Sequence, residues 1–293
     1  MSAFSLTVPF TRVAVAQGGM DPVFVGAGRA VIAATLAALA LLITKQQRPS
    51  ARQWQRLAVV AFGVVAGFPL LTSFSLTTVP ASHGAVVIAI LPAATAVASV
   101  VRTKERTRFS FWCAAILGSL VAVAFSVISG GGFSGIHLSD LLLVIAVVVC
   151  GIGYAEGGLL ARELGAWQTI SWALVLAFPL MLLLTLISIG HQLPSGTPAA
   201  WGSFVYLGVV SMFLGFVAWY RGLAIGPMAQ VSQVQLVQPV LSIGWAALLL
   251  GEDIGWSTIV GGLAVIICAL LAIRSRNSSP RIAPAGNSTS LSN

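Results

Sequence analysis

Nine stretches of the chain are each long and apolar enough to cross a hydrocarbon core of about 30 Å. They fall at residues 23–44, 57–76, 82–101, 109–129, 141–160, 167–189, 203–223, 228–250 and 257–273. Only short loops separate them, so little of the chain is left to build a water-soluble body. With 58% apolar and only 8% charged residues, the chain departs sharply from soluble domains, of which roughly a quarter is charged. Its mean hydropathy is +0.99. The reading is an all-α polytopic membrane protein. The three cysteines, Cys113, Cys150 and Cys268, all lie inside apolar runs without metal-ligand spacing, so neither a disulfide framework nor a metal site is indicated. No cofactor motif is present either.

Ahead of the nine stretches, residues 3–17 are apolar but short, and Pro9 and Arg12 interrupt them. No basic start and no small-residue cleavage site mark a signal peptide. The segment reads as the last half of a first helix, truncated in this chain, which predicts a start upstream of Met1. The tail from 274 to 293 is rich in Ser, Asn and Pro and is expected to be disordered on the cytoplasmic side.

Charge sets the orientation. Of the 15 basic residues, 13 sit on alternate loops: Lys45, Arg48, Arg52 and Arg56; Arg102, Lys104, Arg106 and Arg108; Arg162; Arg221; and Arg274, Arg276 and Arg281. The intervening loops at 17–22, 77–81, 130–140, 190–202 and 251–256 carry no Lys or Arg. Short basic loops stay cytoplasmic, so the C-terminus is expected inside. The net charge of +8 is therefore an orientation signal and not a nucleic-acid footprint. Anionic lipid headgroups are the expected accessory partners of these loops.

A shift of 147 residues superposes Leu76, Pro80, Pro92 and Glu105 on Leu223, Pro227, Pro239 and Glu252. Identities are few; the shared spacing carries the signal. Each half then holds five helices, and because five is odd the second half crosses the membrane upside down. The expected layout is a first repeat over 1–129, an external loop at 130–140, a second repeat over 141–273, and the tail. Inverted repeats of this kind recur in secondary transporters, with substrate near the midplane between them. Pro92 and Pro239 lie mid-span, where each removes a backbone donor and frees the carbonyl four residues earlier, at Ile88 and Gln235. They are read as a matched pair of hinges.

The stretches around these prolines, LTTVPASHGAVVIAILPAATAVASVVRTKE and LAIGPMAQVSQVQLVQPVLSIGWAALLLGE, resemble the two EamA-type repeats of the drug/metabolite transporter superfamily. Arg29, in GAGRAVIAA, matches the arginine of that family's second helix, whereas the Trp-Gly usual in its first helix is absent. The resemblance covers nearly the whole chain. It implies ten helices, cytoplasmic termini, and export of a small metabolite, often an amino acid or a drug-like compound, by alternating access.

Polar groups inside spans are functional candidates, because lipid penalises them. Glu156, in the glycine-rich GIGYAEGGLL, is either a proton-coupling or cation-binding carboxylate or an interfacial residue paired with Arg162 or another nearby arginine. Arg29, about 10 Å inside its helix at 1.5 Å per residue, either binds a substrate carboxylate or pins helix-end carbonyls. Arg12 is expected to snorkel at the outer surface. Gln230, Gln233 and Gln238 fall on one helical arc with Gln235 at its edge, and all four need hydrogen-bond partners. His83 takes the repeat-equivalent place of Gln230. Phe213, Phe216 and Tyr220 recur along one helix face beside Trp219, with Tyr154 and Trp172 on adjoining helices; they are read either as packing or as stacking surface.

The expected cavity is thus lined by His83, Gln230, Gln233, Gln238, Phe213, Phe216, Tyr220 and Tyr154. A channel-like facilitator would want a ring of charges or a carbonyl filter, for which no pattern is present. An intramembrane hydrolase has only Gly132-Phe133-Ser134-Gly135 to recommend it, in a loop with His137 three residues on, and lacks a helix-borne base. The sequence reading is a carrier, not an enzyme, that moves a small organic metabolite outward across a bacterial cytoplasmic membrane.

Overall fold

The computed structural model describes residues 2–103, 137–225, Gln235 and 237–251, with isolated positions within 113–120 and 255–270. Every regular element among these residues is helical. Helix α1 covers 2–17 and ends in a π-helical turn, Val13–Gln17. It is followed by α2 (Pro22–Ile43) and α3 (Ala51–Ser75). A single span is then broken into α4 (Ala81–Ile88) and α5 (Leu91–Thr103). The chain continues with α6 (Leu138–Leu164), α7 (Ala166–His191), α8 (Pro198–Ile225) and α9 (Val237–Leu250). Six spans among the described residues are long and apolar enough to cross a membrane. The expected spans at 109–129 and 257–273, and the tail, lie largely or wholly outside the described residues.

The sequence places the helix starts through capping chemistry. Asp21 accepts from Phe24 N–H at 2.9 Å ahead of Pro22, whose missing donor costs nothing at a first turn. Ser50 and Gln53 form a reciprocal capping box. Thr197 accepts from Ala200 N–H at 3.2 Å, again ahead of a proline. These caps correct the expected boundaries: α3 starts at Ala51 and α8 at Pro198, several residues before the apolar runs at 57 and 203. A capped first turn is polar, so apolar counting misses it. Between α6 and α7 the chain reverses on Gly165 alone, at φ +96°, a conformation that disfavours any Cβ.

The offset of 147 residues recurs in backbone form. Residues Ser50 and Thr197 both cap by side chain. The π-helical stretches Ala61–Gly67 of α3 and Leu207–Leu214 of α8 coincide under the shift, and extra-residue turns of this type concentrate at functional sites. α2 and α7, also equivalent, pack antiparallel. Ser188 donates to Asp21 at 2.6 Å at one end, and Gln168 donates to Gln46 at 3.3 Å at the other. α2 turns a row of alanines inward (Ala27, Ala30, Ala33, Ala34, Ala37), which lets backbones approach closely without a hydrophobic drive. Leu180, Leu183, Leu186 and Ile187 on α7 and Val148 and Ile152 on α6 face outward, as lipid-facing surfaces require.

Candidate functional site

Pro92 sits at a helix restart, and Pro239 lies near the first described residue of α9. Ala89 and Ile90 form a turn, and α5 resumes at Leu91 with Pro92 as its second residue; α9 begins at Val237, two residues before Pro239. Pro92 has no N–H to return to the Ile88 carbonyl, so the α-helical ladder loses a rung at this point. Between these segments lies a cavity of about 10 Å³ bordered by Ile88, Leu91, Pro92, Gln235, Gln238 and Ser242.

Beside it lies a second cavity of about 20 Å³. α1 contributes Phe4, Thr7 and Val8; α2 contributes Arg29; α3 contributes Val64, Phe68 and Pro69. Leu91, Tyr154, Ser211, Met212, Phe216 and Gln238 close the remainder. Each cavity is about the size of a water molecule, far below the several hundred Å³ of a ligand pocket. Neither cavity, as it stands, has room for a solute. A wider groove of about 730 Å³ runs between α5 and α6, but its walls are apolar except at Arg102 and Glu156.

The lining is unevenly satisfied. Thr7 and Ser211 bond each other at 2.7 Å, and Gln238 donates to the Phe4 carbonyl at 3.4 Å. Arg29 is fully buried, at 1% exposure, with long contacts to Thr11 (3.5 Å) and Thr72 (3.4 Å) and an unpartnered Nε. Tyr220 Oη, Trp219 Nε1 and Gln235 Oε1 are likewise buried without partners. Aromatic rings pack around this centre: Phe4–Phe216 at 5.1 Å, Tyr154–Trp219 at 5.6 Å, and Tyr154–Phe216 and Phe216–Tyr220 both at 5.8 Å.

Of the expected cavity residues, Gln238, Phe216 and Tyr154 border the central cavity, and so does Arg29. Tyr220 packs behind Phe216, against Gly157, where a Cβ would meet its hydroxyl at 2.4 Å. Phe213 is half-buried at the edge of the core. Trp172 stacks edge-on with Trp54 at 5.6 Å instead of joining the central rings. His83 lies at one end of the bundle and bonds Asp140 at 2.7 Å, both side chains buried. Gln230 and Gln233 fall outside the described residues. Arg12 does not simply snorkel: its guanidinium donates to the Leu76 and Thr77 carbonyls at 2.8 and 3.0 Å and so caps α3.

Glu156 has two guanidinium partners. Arg56 bonds one carboxylate oxygen, and Arg102 Nε bonds the other at 2.6 Å; Arg56 also reaches Glu163. Charge-assisted contacts on both oxygens hold the carboxylate as an anion and tie α3, α5 and α6 together at the end that carries the basic loops. Sequence reasoning allowed an arginine partner for Glu156 without naming Arg56 or Arg102, and it missed Thr7, Ser211, Phe4 and Asp140. Hydroxyls and a single Phe in an apolar run give no pattern to detect.

A helical membrane bundle of two repeats, with polar side chains gathered beside a broken helix in its interior, is the architecture of a transport protein rather than an enzyme. The chain belongs to the EamA-like transporter family, whose model matches residues 1–128 and 137–274. It is 47% identical over 272 residues to an uncharacterized transporter, YdeK, of Bacillus subtilis (strain 168), covering 92% of this chain and 93% of that one. It is 28% identical over 256 residues to a probable terminal-alkyne amino-acid exporter of Streptantibioticus cattleyicolor, covering 85% and 84%. A solved crystal structure superposes on 92% of this chain and 96% of its own with a TM-score of 0.63 at 16% identity, a likeness of fold.

Proposed function

We propose that the protein is a secondary carrier that exports a small organic metabolite, an amino acid or a related compound, from a bacterial cytoplasm by alternating access. The observation that carries this reading is the pair of adjoining cavities that share Leu91 and Gln238, one beside Pro92 and Gln235 and the other bordered by Arg29, Tyr154 and Phe216. In this reading the two small cavities widen toward either side in turn. The likeness to an amino-acid exporter supports the substrate class. In this reading the basic loops and the C-terminus are cytoplasmic, and the Arg56–Glu156–Arg102 cluster closes the cytoplasmic end. His83, Gln230, Gln233, Phe213 and Tyr220 contribute to the widened path, with Pro92 and Pro239 as its hinges.

The test is efflux from proteoliposomes preloaded with a labelled amino-acid and metabolite pool, with and without a pH gradient. Selective loss of a few organic solutes relative to protein-free vesicles is the expected result, faster under the gradient if protons are coupled. No loss of any solute from folded protein would overturn the proposal.

A further inference from the structure

We infer that the exported solute carries a carboxylate and that Arg29 is the residue that selects it. This rests on the carrier reading above. Arg29 is the fully buried cation on the wall of the central cavity, and among the described residues no carboxylate pairs with it. The acidic side chains nearest to being buried are engaged elsewhere: Glu156 with Arg56 and Arg102, Asp140 with His83, and Asp21 with Ser188 and the start of α2. Two threonine hydroxyls at 3.4–3.5 Å are poor compensation for a guanidinium, and its Nε has no partner at all.

A buried charge left without a counterion is costly, and a fixed structural role would normally bring an acid or several carbonyls with it. Here the compensation is missing among the described residues, and Arg29 borders the cavity. An anionic ligand group supplies it, and a planar carboxylate matches the fork of donors with two parallel bonds. The rest of the lining fits the remainder of such a solute. Phe4, Phe216 and Tyr154 offer an apolar body surface, and Gln235 Oε1, an unpartnered acceptor on the adjoining cavity that shares Gln238, offers a place for a donor such as an α-ammonium. Among the described residues no acidic side chain borders the cavity, so an amine without a carboxylate meets a like charge and no counterion there.

Preloading the proteoliposomes with two matched pools tests this: labelled monocarboxylic and α-amino acids, and the corresponding carboxamides and amines of the same carbon skeletons. Every solute that leaves faster than from protein-free vesicles is expected to carry a carboxylate, at rates at least about tenfold above its amide. R29Q abolishes that efflux and R29K retains part of it. If amides or amines leave as fast as acids, the inference fails while the carrier reading stands; if nothing leaves from either pool, the carrier reading itself fails. A chloride series separates two sources of anion. Efflux of acids that persists at 150 mM chloride supports a carboxylate site, whereas block of all efflux by chloride at a few millimolar assigns Arg29 to an inorganic anion and overturns the inference. Should R29Q not fold, the acid-against-amide comparison on the unmodified protein decides alone.

Discussion

Eight of the residues around the central cavity form four pairs related by the 147-residue shift: Thr7 with Tyr154, Val64 with Ser211, Pro69 with Phe216, and Leu91 with Gln238. The cavity therefore sits on the axis between the halves, and the pairs differ in kind. The second half supplies the amide, the phenol and an aromatic ring where the first supplies smaller or apolar side chains. Arg29, whose equivalent is Leu176, reverses that bias. Tyr220 belongs to the same economy of unsatisfied groups. Its hydroxyl has no partner, so Tyr220→Phe removes nothing that holds the fold and is expected to leave the thermal midpoint in detergent within about 0.5 kcal/mol of the parent or slightly above it. A fall in efflux alongside an unchanged midpoint would assign the hydroxyl to the solute; a clear loss of stability would reveal a structural bond.

At the scale of elements, the broken span α4–α5 is the part that regular structure would most readily repair. Pro92 at the second position of α5 withholds a backbone donor at the break, so Pro92→Ala is expected to raise stability by up to about 3 kcal/mol while slowing efflux. Thermal unfolding and initial efflux rates on the same preparation read the two effects. The reverse pattern, a less stable protein with unchanged rates, would mean that the break is packing and nothing more. Glu156 tests a different element contact. Two arginines converge on its carboxylate, so Glu156→Gln leaves two guanidiniums facing each other and should cost about 1–3 kcal/mol of stability, since Arg102 remains half-exposed. Efflux that keeps its dependence on the pH gradient in this variant is the expected result and marks Glu156 as a tie between helices; loss of that dependence would assign it to coupling.

For the molecule as a whole, the pairing about the axis makes a stronger demand than any one residue. If the halves are equivalent at the cavity, moving the amide across the axis is a smaller change than deleting it. Gln238→Leu alone is expected to abolish most efflux, and Leu91→Gln with Gln238→Leu to recover a measurable part; a double variant no better than the single would deny that equivalence. The sequence carried the spans, the paired prolines and the 147-residue offset openly, because hydropathy and proline spacing are local or periodic signals. The contacts that close the centre were not legible. Thr7 meets Ser211 across 204 residues and Arg56 meets Glu156 across 100, and nothing in either neighbourhood names the partner. Arg29 stood out as a charge in an apolar helix, but its lack of a counterion emerges only once the surrounding helices are in place.

The ties between α4–α5 and α6 have one more consequence. His83 and Arg102, at either end of the broken span, are held by Asp140 and Glu156 on a continuous helix. One strand of that frame uses 19 residues between its anchors and the other 16. At 1.5 Å per residue the surplus is roughly 4–5 Å of chain, all of it between fixed ends. The broken span is thus a slack member lashed to a taut one. It can bow toward or away from its neighbour without either lashing letting go, and a deletion of three residues across 89–91 would draw it tight.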